Sequence, residues 1–369
     1  MRLQTWLAAS ACAVLALGSA ACGSSDSSSS SSTASASGSS SGGSVTLNGA
    51  GSTFAAPIYQ QVGSDLKGQG TTVNYQSVGS GAGVSQFTAG TVDFAGSDPA
   101  LKDEEVSALK KGAPIEAPIA FGAITASYNL PDVKSGLKLD GKTLADIYLG
   151  KVKKWNDPEI TGQNSGLKLP ATNITVVHRS DSSGTTKGFT DFLSRYSPEW
   201  KSGPGVDKDI KWPTGTGGKG NEGVAAAVKQ TEGAIGYVEQ AYALQNGFTF
   251  ADVKNRSGAY IAPTLASTSA AGDGIDVPDD LRINVIDSPN PKAYPITSQT
   301  FTITYQDPCK AGLDKNKAAG LQKFLNYLIG PEGQATIEKL SYAKLPSALQ
   351  SKVKAAVDGM QCNGSPISG

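Results

Sequence analysis

Three times in this chain a short run of β-forming residues ends in a glycine- and serine-rich turn that opens directly into a helical pattern. The strand at 44–48 runs into Asn-Gly-Ala-Gly-Ser-Thr-Phe (48–54) before a helix at 56–67. The strand at 71–78 runs into Gly-Ser-Gly-Ala-Gly (79–83) before a helix at 83–89, and the strand at 173–179 into Ser-Asp-Ser-Ser-Gly-Thr-Thr (180–186) before a helix at 185–196. Short strands alternating with helices are the signature of α/β architecture. The alternation continues with strands at 91–94, 119–128, 234–238 and 297–305 and helices at 103–110, 143–149, 220–230, 316–329 and 332–340. A length of 369 residues suits about two domains. The stretch at 251–292 is polar and turn-rich and reads as a surface excursion with little core.

A strand–turn–helix unit leaves the first N–H groups of its helix unpaired at the positive end of the helix dipole, which makes it a ready anion site. Any one such turn is equally an ordinary helix cap, since Ser, Thr and Gly are standard capping residues. The third turn adds an arginine. Arg179 closes an apolar strand immediately before it, where a guanidinium can give paired hydrogen bonds to a tetrahedral oxyanion, and Asp181 is placed to hold it. Asp98, at the end of Thr-Val-Asp-Phe-Ala-Gly-Ser-Asp (91–98), is the other acid that stands out; an Asp-Pro turn explains it as well.

Composition removes whole classes. The chain has 32 basic and 32 acidic residues, unlike the basic footprint of a nucleic-acid binder. One histidine, His178, and four cysteines leave too little for a zinc site, so neither a metal nor another cofactor is expected. Ser80 and Ser183 sit in glycine turns, but neither lies in Gly-x-Ser-x-Gly, so an esterase is not expected. Gly-Thr-Gly-Gly-Lys-Gly (215–220) lacks P-loop spacing and reads as a surface turn.

Residues 1–21 have a basic start, an apolar stretch and small residues before Cys22, the pattern of an export leader. Cleavage before Cys22 would leave a lipidated N-terminus; ordinary signal cleavage after one of the small residues is the alternative. Fourteen of the 22 residues at 23–44 are serines, so 22–44 reads as a flexible tether. Cys309 and Cys362 then remain, either paired as an exported protein's cysteines commonly are or buried as thiols.

The ordered blocks Gly-Ala-Gly-Ser-Thr-Phe-Ala-Ala-Pro (49–57), Val-Asn-Tyr-Gln-Ser-Val-Gly-Ser-Gly (73–81), Thr-Val-Asp-Phe-Ala-Gly-Ser-Asp (91–98), Leu-Gly-Lys-Val-Lys-Lys-Trp-Asn-Asp (149–157), Arg-Ser-Asp-Ser-Ser-Gly-Thr (179–185), Gly-Gly-Lys-Gly-Asn (217–221) and Gly-Ala-Ile-Gly-Tyr-Val-Glu (233–239) resemble the substrate-binding protein of the bacterial high-affinity phosphate ABC transporter. The resemblance runs from about 45 to 350. It implies a two-lobed, periplasmic-binding-protein-like (type II solute-binding) α/β fold with a two-segment hinge and an interlobe cleft. Lobe one would be 45–117 plus 292–369, and lobe two 118–291. It further implies a non-enzymatic, monomeric binder of inorganic phosphate that is exported, held to the outer face of the cytoplasmic membrane by its lipid, and partnered by permease subunits. Carried over by motif, the phosphate ligands are Thr53, Phe54, Ser80, Asp98, Arg179, Ser183, Gly184 and Thr185, with Asp181 orienting Arg179; His178 has no ligand role. In that setting Asp98 would accept the proton of hydrogenphosphate and reject sulfate, which has none to offer. A binder of arsenate, phosphonate or sulfate, or a phosphate sensor or adhesin on the same scaffold, is the alternative.

Overall fold

The structure is a computed structural model and describes residues 44–367. The expected leader, Cys22 and all of the tether before Ser44 lie outside the described residues.

Two long strands, Pro114–Tyr128 and Thr297–Tyr305, run antiparallel through the middle of a nine-stranded sheet. Beyond Thr297–Tyr305 follow Phe94–Ser97, Val45–Gly51 and Thr71–Ser77, the last three mutually parallel. On the other flank Ala234–Glu239 pairs antiparallel with residues 124–128 of the long strand, and Thr175–Arg179 and Thr216–Gly218 continue parallel to it. The chain thus passes from one half to the other along Pro114–Tyr128 and returns through Thr297–Tyr305. All nine residues of Thr297–Tyr305 and all but Pro114 of the other are buried, although only Pro114–Tyr128 reads as a nearly continuous apolar run; Thr297–Tyr305 buries six Thr, Ser and Gln side chains beside Phe301, Ile303 and Tyr305.

Helices cover the sheet where apolar side chains recur three or four residues apart. Ala56–Lys67 starts with a proline in its first turn and buries Ile58, Tyr59, Val62 and Leu66. Lys315–Ile329 is capped by Asp314, which accepts the Lys317 N–H, and buries Ala318, Leu321, Phe324, Leu325 and Leu328. The helix Ser347–Asp358, which periodicity did not single out, is anchored by only Leu349, Val353 and Val357. The long strand begins five residues before the expected 119 because Glu116 and Pro118 disguise its start. Glu116 is buried and accepts the Leu101 N–H at 2.7 Å, while Pro118 falls beside a register shift in the pairing with Thr300 and Phe301.

One expectation is overturned. The 251–292 stretch is no surface excursion: Ala251, Val253, Ala270, Ala271, Leu281, Ile283, Val285 and Ile286 all enter the main core, which runs on through both halves. Leu281, Ile283 and Val285 alternate with polar residues, but these short runs stand among prolines, glycines and acids that make the stretch read as polar.

Cys309 and Cys362 are joined in a disulfide that closes a sequence separation of 53. A loop of that size is expected to contribute about 2–4 kcal/mol, chiefly by restricting the unfolded chain. Replacing both cysteines by serine should lower stability by that amount in urea unfolding, with the native fold retained by circular dichroism.

Candidate functional site

The three turns meet. Each strand delivers its turn at the carboxyl edge of its half-sheet, and the halves touch there at a glycine. A Cβ on Gly184, the first residue of the helix Gly184–Tyr196, would lie 2.4 Å from Asp98 Oδ2 and 2.5 Å from Ser80 Oγ, so only glycine allows this approach. The second turn belongs to its helix, which runs Ser80–Ala89 and not from 83; Gly79 supplies the cap with φ +93°, a conformation that favours glycine. Gly81 N–H then donates to Ser182 O across the halves at 3.1 Å.

Asp98 is buried among hydroxyls. Its Oδ1 accepts from Ser52 Oγ at 2.5 Å and Thr300 Oγ1 at 2.9 Å, its carbonyl accepts from Gln299 Nε2 at 2.8 Å, and its N–H donates to Ser80 Oγ at 3.4 Å. Oδ2 is left facing Gly184. Burial pushes the carboxyl up to about 6, against the hydrogen bonds of Ser52, Thr300 and Ser80 and the charge of Arg179, which pull it down.

Arg179 is 3% exposed and held from three sides. Asp181 accepts from its Nε at 2.7 Å and from Nη2, Thr185 Oγ1 accepts from Nη1 at 3.3 Å, and its backbone N–H donates to Tyr237 OH at 3.0 Å. Asp181 also accepts the Gly220 N–H at 3.0 Å. Burial works to raise the Asp181 pKa, but the paired guanidinium and that amide bring it below the usual carboxylate value.

Of the remaining sequence candidates, Thr53 and Thr185 are joined through a residue that sequence reading passed over. Asn221 Nδ2 donates to Thr53 Oγ1 at 2.8 Å and to Thr185 Oγ1 at 3.4 Å. Phe54 and Ser183 come to the cluster as chain neighbours. The Phe54 ring packs edge-on against Tyr342 and its carbonyl accepts from Tyr342 OH; Ser183 Oγ accepts the Thr186 N–H at 3.0 Å as helix cap. His178 is half-buried, stacks on Trp212 at 4.7 Å and has its Nδ1 3.0 Å from the Arg179 carbonyl. The glycine run at 215–220 is corrected from surface turn to a fourth strand–turn–helix unit, Thr216–Gly218 leading into Gly220–Gln230. Ser52, Thr300, Tyr237 and Asn221 were missed. Ser52 and Asn221 stood inside quoted motifs, whereas Thr300 gave no local signal.

Further bonds cross between the halves. Tyr242 OH donates to Thr53 O at 2.7 Å, Tyr342 OH lies 2.9 Å from Glu239 Oε2, and Lys102 pairs with Asp207 at 2.9 Å next to a Lys208–Glu105 pair. Chemically the arrangement is a cluster of neutral donors, one guanidinium paired with the Asp181 carboxylate, and a second carboxylate, Asp98. Among the described residues no group of His, Cys, Asp and Glu could hold a metal ion.

An Asp98 carboxyl of higher pKa in the folded than in the unfolded chain makes the native state lose stability as pH rises from 3.8 to about 6. Ligand-free Asp98→Asn should therefore be more stable than wild type at neutral pH by up to about 3 kcal/mol, the gap closing near pH 4. Urea unfolding without added anion at both pH values checks it.

Comparison with known proteins places the chain in a family. Residues 28–332 match the family model of the PBP superfamily domain. The chain is 41% identical over 313 residues to the phosphate-binding protein PstS of Haemophilus influenzae, covering 84% of this chain and 91% of that one, and 40% identical to PstS of Pasteurella multocida, covering 84% and 89%. Among solved structures, a high affinity periplasmic phosphate-binding protein bound with phosphate superposes with a TM-score of 0.70 at 24% identity, covering 84% of this chain and 93% of that one. The fold is accordingly the two-lobed periplasmic-binding-protein type, and the chain belongs to the PstS family of phosphate-binding proteins within the PBP superfamily.

Proposed function

We propose that this protein binds inorganic phosphate outside the cytoplasmic membrane and delivers it to the permease of an ABC transporter for import. The observation that carries the reading is Asp98: a buried carboxylate with one oxygen saturated by hydroxyls and the other turned into a cluster of donors. A fully deprotonated oxyanion would meet repulsion there, whereas hydrogenphosphate can donate its proton to Oδ2 and accept from everything else. Thr53, Ser80, Arg179, Ser183 and Thr185 would supply side-chain donors, the N–H groups of Phe54 and Gly184 backbone donors, and Asp181 would keep Arg179 in register. Family relatives named as phosphate-binding proteins support the same reading.

In this reading the lobes are 45–117 with 292–369, and 118–291, and binding shifts their open–closed equilibrium toward the closed form that the permease recognises. Lipid on Cys22 and the serine tether would keep the monomer within reach of the permease. No step of bond making or breaking is called for, and no cofactor.

Titration of the purified protein with phosphate, arsenate and sulfate, followed by tryptophan fluorescence, tests this. Trp212 lies 5.8 Å from Tyr237, whose hydroxyl touches Arg179, so closure should alter its emission. Saturable tight binding of phosphate with no response to sulfate is expected; failure of phosphate to bind would reject the reading. Asp98→Asn should weaken phosphate by about tenfold and admit sulfate, and Arg179→Ala should weaken phosphate by at least about 100-fold, because a charge-assisted donor is lost and Asp181 is left uncompensated. Calorimetry on both variants measures this.

A further inference from the structure

Asn221, the second residue of the helix Gly220–Gln230, is completely buried where the halves meet. Its amide orientation is fixed by chemistry. The Glu239 backbone N–H can only donate, so the amide atom 2.9 Å from it is the oxygen, and the other end is the NH2. That NH2 can only donate in turn, and it faces Thr53 Oγ1 at 2.8 Å and Thr185 Oγ1 at 3.4 Å. Thr53 Oγ1 receives a second obligate donor, the Asn221 backbone N–H, at 3.1 Å; Thr185 Oγ1 receives Arg179 Nη1 at 3.3 Å. A hydroxyl has two lone pairs and one proton. With both lone pairs taken, each proton must point elsewhere, and among the described residues neither hydroxyl donates to an acceptor.

We infer that Asn221 is a positioning residue of the anion site, committing one hydroxyl from each half, Thr53 and Thr185, to donate to the bound oxyanion. The inference rests on the phosphate reading above and deepens it. A free hydroxyl rotor can present a lone pair or a proton, and only the proton attracts an anion; Asn221 removes the wrong choice before the ligand arrives. Its reach to both threonines also makes the correct hydroxyl orientation a property of the closed form, so donor alignment and closure are coupled.

The test is a double-mutant cycle read by phosphate calorimetry on wild type, Asn221→Ala, Thr53→Val and the pair, with thermal unfolding of each phosphate-free protein as the folding control. Asn221→Ala is expected to raise the phosphate Kd by about 10- to 100-fold in an otherwise wild-type chain. In the Thr53→Val background the same change should cost several-fold less, because one of the two hydroxyls it orients is gone. Equal fold-changes in both backgrounds would mean a structural role unconnected with Thr53 and would overturn the inference, as would an Asn221→Ala protein that binds phosphate like wild type. Should Asn221→Ala not fold, Asn221→Ser, too short to reach either threonine, goes through the same cycle. Wild-type protein that ignores phosphate would bring down the underlying reading itself, a result distinct from a wild type that binds and a variant that binds equally well.

Discussion

The paired guanidinium of Arg179 is the constraint from which the site is built. Asp181 grips it along one edge and, through the Gly220 N–H, ties it to the start of a neighbouring helix. The same turn reaches the other half, where Ser182 O takes the Gly81 N–H and Asp181 crowds Gly79 so closely that a Cβ there would come within 2.5 Å. One ion pair therefore sets the position of a strand end, two helix starts and the seam between halves. Because the pair is almost wholly buried, its geometry is not diluted by water, and breaking it by removing one partner leaves the other charge stranded.

With Arg2 and Asp26 set aside as leader and tether, the body has 31 basic and 31 acidic residues. A broad positive field cannot be what attracts an anion here. The attraction has to be short-ranged, made by hydroxyls and by the open ends of helices, and such groups act only at hydrogen-bond distance. The abundance of glycine follows from that requirement. Gly79 and Gly184 let backbone and side chains from different halves come closer than any other residue would permit.

How much of this was legible depends on range along the chain. The three turns, Arg179 with Asp181, and Asp98 could be found because each belongs to a local grammar of strand, small residues and helix. What fixes Asp98 could not. Thr300 lies 202 positions away on a fully buried strand, and Ser52 pairs with it across 46 residues. Asn221 was hidden by its own glycine-rich surroundings, which resemble a flexible surface turn until the short strand Thr216–Gly218 is seen to pair with Thr175–Arg179. The anchors within 251–292 were hidden for a related reason: they are few and widely spaced among polar turn residues, and join the main core only in the folded chain.

The contact at Gly184 has a mechanical meaning. Two walls meet where one of them carries no side chain, so the Gly184 backbone abuts the short, hydrogen-bonded side chains of Asp98 and Ser80 directly. Such a stop gauges the space between the walls to a fraction of an ångström, and one methyl group at that position would act as a shim, holding apart everything that the rest of the chain has evolved to bring together.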